Sequence, residues 1–329
     1  MRRSSARILV HAVLLASCGC ASIAAAQSYS IPEPPTRSTT DANGIDLAKG
    51  QFAITETDLS IGPQGAGGLA HTRFWSADTH GGGWRHGYLL AVSNRVNGLT
   101  INLGDHSVTF TGSGSNYASD QADGSTLTAN GNLYIYTARD GTIVTFDQSI
   151  IATNATYYGP VIAVATSIVK PNGEKLTLTY YQDGYDRPIP GDTIFVPVAR
   201  LVAVNSTIGY QLFYSYASDN PTATDDWYRI TQVSAVSGAF DYCDPTTANT
   251  CTSGAKVTYG ITTSGNTTLE SVTDPAGRTR VYTTDTSTRR MLSVQRPSGS
   301  SLTFGYGSDN RVATVSNGTA SWSYAWSPA

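Results

Sequence analysis

The chain has 329 residues, of which 14% are charged and 40% hydrophobic. Ordinary soluble domains carry roughly 25% charged residues, so hydroxyls and amides solvate this one, and its 19 Tyr and 40% hydrophobic content exclude a disordered chain. Residues 1–26 hold Arg2, Arg3 and Arg7 and no acid, so residues 27–329 carry 18 basic against 24 acidic side chains, which argues against a nucleic-acid partner, whose phosphates need a basic face.

Residues 1–26 are predicted to be a secretion signal. Three arginines precede a short apolar run from Ile8 to Ala16, too short to span a bilayer. Two cleavage readings stand side by side. Ala24-Ala25-Ala26 before Gln27 suits ordinary signal peptidase, whereas Leu15-Ala16-Ser17-Cys18 looks like a lipoprotein box in which Cys18 is lipidated. On either reading the protein is exported, to the periplasm, the outer-membrane surface or beyond the cell. Membrane contact is expected only through a lipid on Cys18. Residues 27–42 include Ile31-Pro32-Glu33-Pro34-Pro35 and read as a Pro-rich spacer.

Residues 43–165 read as a β-rich opening segment and residues 166–329 as β-hairpin repeats. Thr and Tyr favour strands and Gly favours turns, while only four Lys and two Met speak against long helices. Asn or Asp followed by Gly recurs at Asn43, Asn97, Asp123, Asn130, Asp140, Asn172, Asp183 and Asn317, and such pairs close hairpins. Between them the chain alternates. Leu176, Leu178 and Tyr180 are expected on one face of a strand and Thr177, Thr179 and Tyr181 on the other. The expected fold is all-β, with antiparallel hairpin repeats in a long twisted or partly wound sheet.

Chemistry-bearing residues are sparse. His71, His80, His86 and Asp78 form the densest potential metal set, but the glycine-rich stretch around them gives no ligand spacing, and zinc needs three or four convergent ligands. They are therefore expected to be solvated loop residues. Asp183, Asp186 and Asp192 are placed in one loop and Asp225-Asp226 before Trp227. Neither set has the regular spacing of a calcium loop, so both are read as surface acids. Gly65, Gly67 and Gly68 do not open a helix after a strand and so make no nucleotide loop. Tyr157-Tyr158, Tyr180-Tyr181 and Tyr214-Ser215-Tyr216 offer rings to a sugar or to the sheet core. No catalytic, cofactor or metal residue is assigned. In an exported protein Cys243 and Cys251, eight residues apart, are expected to form a disulfide.

In the last third a unit repeats. Val272, Val294 and Val315 lie 22 and 21 residues apart, and Asp274-Pro275-Ala276-Gly277 and Arg296-Pro297-Ser298-Gly299 follow the first two. Pro presets φ near −65° and Gly accepts positive φ two residues on, so the unit is a tight hairpin. One hairpin cannot bury its apolar face alone, and repetition solves this.

Asp274-Pro275-Ala276-Gly277-Arg278-Thr279, ending in Tyr282 and Asp285, resembles the repeat of the Rhs/YD-repeat family of bacterial surface and secreted proteins. Upstream, Asn43-Gly44-Ile45-Asp46-Leu47, Thr72-Arg73-Phe74-Trp75, Gly83-Trp84-Arg85 and Asp140 to Phe146 resemble the segment that opens the repeat region. The resemblance spans residues 43–329 and implies hairpins wound into a long sheet, closing as a shell around cargo in full-length members. The paired Asp-Pro-x-Gly-Leu motifs of toxin-releasing members are absent here, because Arg278 follows Gly277 and the next unit begins with Arg296. Asp274 is therefore an ordinary turn residue.

These features together lead to an exported, non-enzymatic scaffold for cell-surface interaction or for part of a shell, with a surface glycan or protein as partner. The alternatives are a carbohydrate-binding or polysaccharide-active module and a piece of a longer protein. Trp322, Tyr324 and Trp326 alternate with small residues, so a strand would present all three at an open C-terminal edge and favour self-association.

Overall fold

A computed structural model describes residues 39–63, 67–78, 81–151, 161–189, 192–241, 243–244, 246 and 254–327. The fold is all-β and antiparallel, with one five-residue α-helix, α1 (Thr224–Tyr228), among the described residues. Four strands form a sheet of their own: β1 (Ile45–Asp46), β2 (Gln51–Ile61), β3 (Leu69–Asp78) and β4 (Gly81–His86).

The next eight strands close a ring. They are β5 (Leu90–Arg95), β6 (Gly98–Leu103), β7 (Ser107–Ser113), β8 (Asn116–Ser119), β9 (Thr126–Asn130), β10 (Leu133–Thr137), β11 (Ile143–Asp147) and β12 (Val161–Val169). Each pairs with the next, and Val161↔Ser93 and Val164↔Ala91 bring β12 back to β5. Ring closure removes the open edges that would otherwise template aggregation. Val92, Ile101, Val108, Phe110, Leu127, Val144 and Phe146 are each 3% exposed or less and fill the middle.

The second half of β12 leaves the ring. Ser167↔Thr177 starts a meander that continues through β13 (Lys175–Ile189), β14 (Asp192–Ser206), β15 (Tyr210–Tyr216), β16 (Ile230–Ser237), β17 (Ala255–Ser264), β18 (Thr267–Thr273), β19 (Thr279–Asp285), β20 (Met291–Gln295), β21 (Ser301–Tyr306), β22 (Val312–Ser316) and β23 (Ser321–Ser323). The β1–β4 sheet packs on this meander through β15, β16 and β17. One continuous core runs from Ile45 through the ring to Val315.

The repeating unit has a defined turn. Gly277 N–H donates to the Asp274 carbonyl and Asp274 N–H to the Arg278 carbonyl, and the same pair of bonds joins Gly299, Arg296 and Ser300. Gly277 and Gly299 have φ of 77° and 84°. This is a type I turn followed by a glycine bulge, one of the common hairpin closures. The Asp274 carboxylate accepts from the backbone N–H groups of Ala276 and Arg278 and from Arg278 Nε, as expected of a turn residue.

A tyrosine clips each of three units to the strand before. Tyr180 Oη donates to the Ala165 carbonyl at 2.9 Å, Tyr306 Oη to Met291 at 2.8 Å, and Tyr216 Oη to Leu201, each fifteen residues upstream. All three tyrosines follow directly on a register shift in their strand.

Three expectations change. Asp183-Gly184 is not a turn: Asp183 pairs with Val198 and Asp186 with Phe195 inside the long β13–β14 hairpin, and Asp192 begins β14. Cross-strand pairing overrides the local turn preference there, so the three acids do not share a loop. Gly82 and Gly83 are not in a loop either but lie in β4, paired with Ala77 and Ser76. At the C-terminus β23 ends at Ser323. Tyr324 Oη donates to Asp41 Oδ2 at 2.5 Å and Trp326 Nε1 to the Val312 carbonyl at 2.8 Å. These two rings stack and fold back on the core, while Trp322 stays exposed. Their polar tips find protein partners there in place of water, so the rings can be buried without leaving a donor unpaired.

Candidate functional site

The sheet β1–β4 brings together the chain's least expected side chains. Along β3 the residues alternate: Leu69, His71, Arg73, Trp75 and Ala77 are buried, whereas Ala70, Thr72, Phe74 and Ser76 are half-buried, as the period of two dictates. The buried face meets the meander. The other face borders a groove.

On the buried face Arg73 is the centre. Its Nε donates to Asp58 Oδ2 on β2 and its Nη1 to Glu270 Oε1 on β18. The guanidinium lies 3.9 Å over the Trp84 ring and 4.8 Å from the Tyr259 ring centroid. Tyr259 Oη donates to Asp58 Oδ2 at 2.9 Å. Arg280 of β19 pairs with Glu56 and lies 3.8 Å from Asp58 Oδ1. Two arginines therefore meet three carboxylates between two sheets.

Electrostatics keeps the Arg73 guanidinium charged. Burial pulls the Arg73 pKa down, but Glu270 and Asp58 outweigh it and hold the guanidinium above its usual range. Burial pushes the Glu270 carboxyl up, with Arg73 opposing and Asp58 adding to the rise. Burying such groups is costly unless they are paired and hydrogen-bonded. Pairing here crosses between β3 and the meander, so the cluster acts as a lock.

Beside it lie two histidines. His71 is fully buried and His86 is 9% exposed, with ring centroids 5.5 Å apart. They are strand residues, not solvated loop residues as the glycine-rich sequence suggests. His71 Nδ1 sits 3.3 Å from Tyr214 Oη. Burial, then His86 and Arg73, lowers the His71 pKa well below the ordinary value, and burial with Arg73 brings His86 down to about 4. Both rings are neutral near pH 7. His80 lies outside the described residues. Among the described residues no group of three or more His, Cys, Asp or Glu is placed to hold a metal ion.

The groove on the other side encloses about 700 Å³, within the usual range of ligand clefts. The 40–44 turn, β2, β3, the Asp105–His106 turn and the β20–β21 hairpin form its walls. Phe74 supplies a half-buried aromatic ring and Thr55 and Ser76 supply hydroxyls, whereas the Phe52 and Trp75 rings beside it are buried. Arg85 is 3% exposed and donates to the Gly104 carbonyl at 3.2 Å and to Ser76 Oγ at 2.9 Å. Asp41 is occupied by Asn43 N–H, Ile45 N–H and Tyr324 Oη. Asp105 Oδ1 bonds His106 Nδ1 at 2.7 Å, and this bond, against some burial, raises the His106 pKa.

The other residues singled out in the sequence are dispersed. Asp225 and Asp226 lie on α1, and Asp226 pairs with Arg229 at 2.6 Å. Tyr214 is buried, Tyr180 and Tyr216 pack on the core, and Tyr181 is exposed. Tyr157, Tyr158 and Gly65 lie outside the described residues. Cys243 is buried, while its expected partner Cys251 also lies outside them. The lock residues Asp58, Glu270 and Arg280 were not foreseen. The one local hint is Arg73, a charge at the apolar phase of an alternating strand between His71 and Trp75.

No family model matches the chain, and no curated protein matches it. Among solved structures the chain is similar to the one titled "Crystal Structure of TcdB2-TccC3", with a TM-score of 0.46 and 12% identity over 84% of this chain. The similar region is 17% of that chain's length.

Proposed function

We propose that the protein is an exported, non-catalytic β-scaffold of the Rhs/YD-repeat kind, serving contact at the cell surface or contributing to a shell. The observation that carries this reading is the use made of buried charge. Asp58, Glu56 and Glu270 are each engaged by Arg73 or Arg280, which joins two sheets and leaves these carboxylates to structure. The repeated tyrosine clips point the same way, because they stiffen a surface built from repeated hairpins. The arginine-led N-terminus supports export.

Fractionation of cells producing the tagged full chain tests export, with Cys18→Ser separating lipid anchoring from cleavage after Ala26. Recovery in the cytoplasm would overturn it. Release of sugar from cell-wall extracts by the purified protein, lost on substituting one carboxylate, would overturn the non-catalytic part.

A further inference from the structure

We propose that the docking of the β1–β4 sheet on the meander is an acid-sensitive joint, in which protonation of His71 and His86 releases the sheet while the β5–β12 ring stays closed. This goes beyond the scaffold reading and does not depend on it. The two imidazoles lie side by side on the buried face of the sheet, where β3 packs on β15. The Tyr214 ring of β15 stands 5.5 Å from each of them, and the Tyr259 ring of β17 stands 6.1 Å from His71. His71 Nε2 and His86 Nδ1 are buried and find no hydrogen-bond partner among the described residues.

A proton on either ring is therefore poorly placed. No carboxylate is within hydrogen-bond reach of His71 Nε2 or His86 Nδ1, and the charge that bears on both rings is the Arg73 guanidinium, of the same sign. Asp58 of β2 and Glu270 of β18 are turned to Arg73, and Glu56 of β2 to Arg280 of β19. Burial keeps the phenols of Tyr88, Tyr214, Tyr216 and Tyr259 neutral. Strand β16, which packs on β2, carries no titratable side chain. The strands of the ring hold no histidine, and His106, in the turn between β6 and β7, is exposed and paired with Asp105. Mild acid thus acts on the joint and spares the ring.

The sign follows from proton uptake. Released into solvent, the two imidazoles regain pKa values near 6.5 and take up protons that the docked rings refuse. Falling pH draws the equilibrium toward the released sheet, by about thirtyfold per ring at pH 5 and about a thousandfold for both. Glu270, whose carboxyl is pushed up by burial, takes its own proton more readily in the docked form and offsets part of this.

The test is hydrogen exchange read by mass spectrometry on the purified protein at pH 7 and pH 5, corrected for the pH dependence of the intrinsic rate. Peptides of β2–β4 are compared with those of the β5–β12 ring. Expected is at least a tenfold loss of protection in β2–β4 at pH 5, unchanged protection in the ring, and recovery on return to pH 7. The loss should shrink in His86→Gln and vanish in the protein carrying both His71→Gln and His86→Gln, with thermal melts at pH 7 reporting folding. Unchanged protection of β2–β4 at pH 5, simultaneous loss in sheet and ring, or an undiminished loss in the folded double variant would each overturn the proposal. The comparison of sheet with ring in the unsubstituted protein decides the matter even where a variant does not fold. None of these outcomes bears on export or on the absence of catalysis, so the scaffold reading stands or falls separately.

Discussion

Arg73 and Glu270 are 197 residues apart in sequence and joined by an ion pair between β3 and β18. With Asp58 on the other side of the guanidinium, the pair fastens the opening sheet to the repeat meander. Removing one partner of a buried pair typically costs about 3–5 kcal/mol, because the other charge is left buried and alone. Arg73→Ala should lose stability on that scale in urea unfolding, whereas Arg278→Ala, on an exposed turn, should change it by less than about 1 kcal/mol. Similar midpoints for the two variants would refute the lock.

Acid should loosen the same region. His71 and His86 have lowered pKa values in the fold, so between about pH 6.5 and 4 the unfolded chain binds more protons than the folded one. Their contribution therefore falls as pH drops through this window. Glu270, with its raised pKa, works in the opposite direction at the acid end. His86→Gln should flatten the pH dependence of the urea midpoint between pH 6.5 and 4. A slope unchanged from wild type would show that His86 titrates alike in the folded and unfolded states, against the lowered value.

The tyrosine clips can be weighed singly. Tyr306→Phe removes the bond to the Met291 carbonyl while keeping the ring. Loss of about 0.5–1.5 kcal/mol is expected, and more if the carbonyl remains dry. Tyr181→Phe, at an exposed position with only a 3.4 Å contact to Asp183, should lie within about 0.5 kcal/mol of wild type. Thermal denaturation of the two variants side by side decides the matter.

Gly299 holds φ at 84°, and a Cβ there would meet nothing within 4 Å. Any penalty for a side chain is thus one of backbone conformation, about 1–2 kcal/mol for a residue forced left-handed. Asn310 occupies the equivalent turn position at φ 67°. Gly299→Asn should accordingly be milder than Gly299→Val in melting temperature, and the reverse order would contradict the turn geometry.

A Cys243–Cys251 disulfide, proposed on the reading that the protein is exported, predicts a mass two daltons lower before reduction than after it in protein recovered from an oxidising compartment. Closing so short a loop is worth roughly 2–3 kcal/mol in the chain-entropy model. Two free thiols in oxidised material would dismiss the bond.

Much of the local structure was legible in the chain itself. Period-two alternation placed Leu176, Leu178 and Tyr180 on one face of β13, which the fold turns to the core, and Pro-x-Gly marked the turns at Gly277 and Gly299, because strand faces and positive φ are properties of a few neighbouring residues. The all-β class followed from composition for the same reason. Tertiary structure decided everything that joins distant segments. Closure of β12 on β5, the packing of β3 on β15, the burial of His71 and His86, and the partners of Arg73 depend on register between strands many residues apart. Pairing across β13 and β14 likewise kept Asp183-Gly184 extended against its local preference. A turn is encoded by neighbours, but a buried charge is tolerated only where folding delivers its partner, and no short stretch of sequence states where that partner will come from.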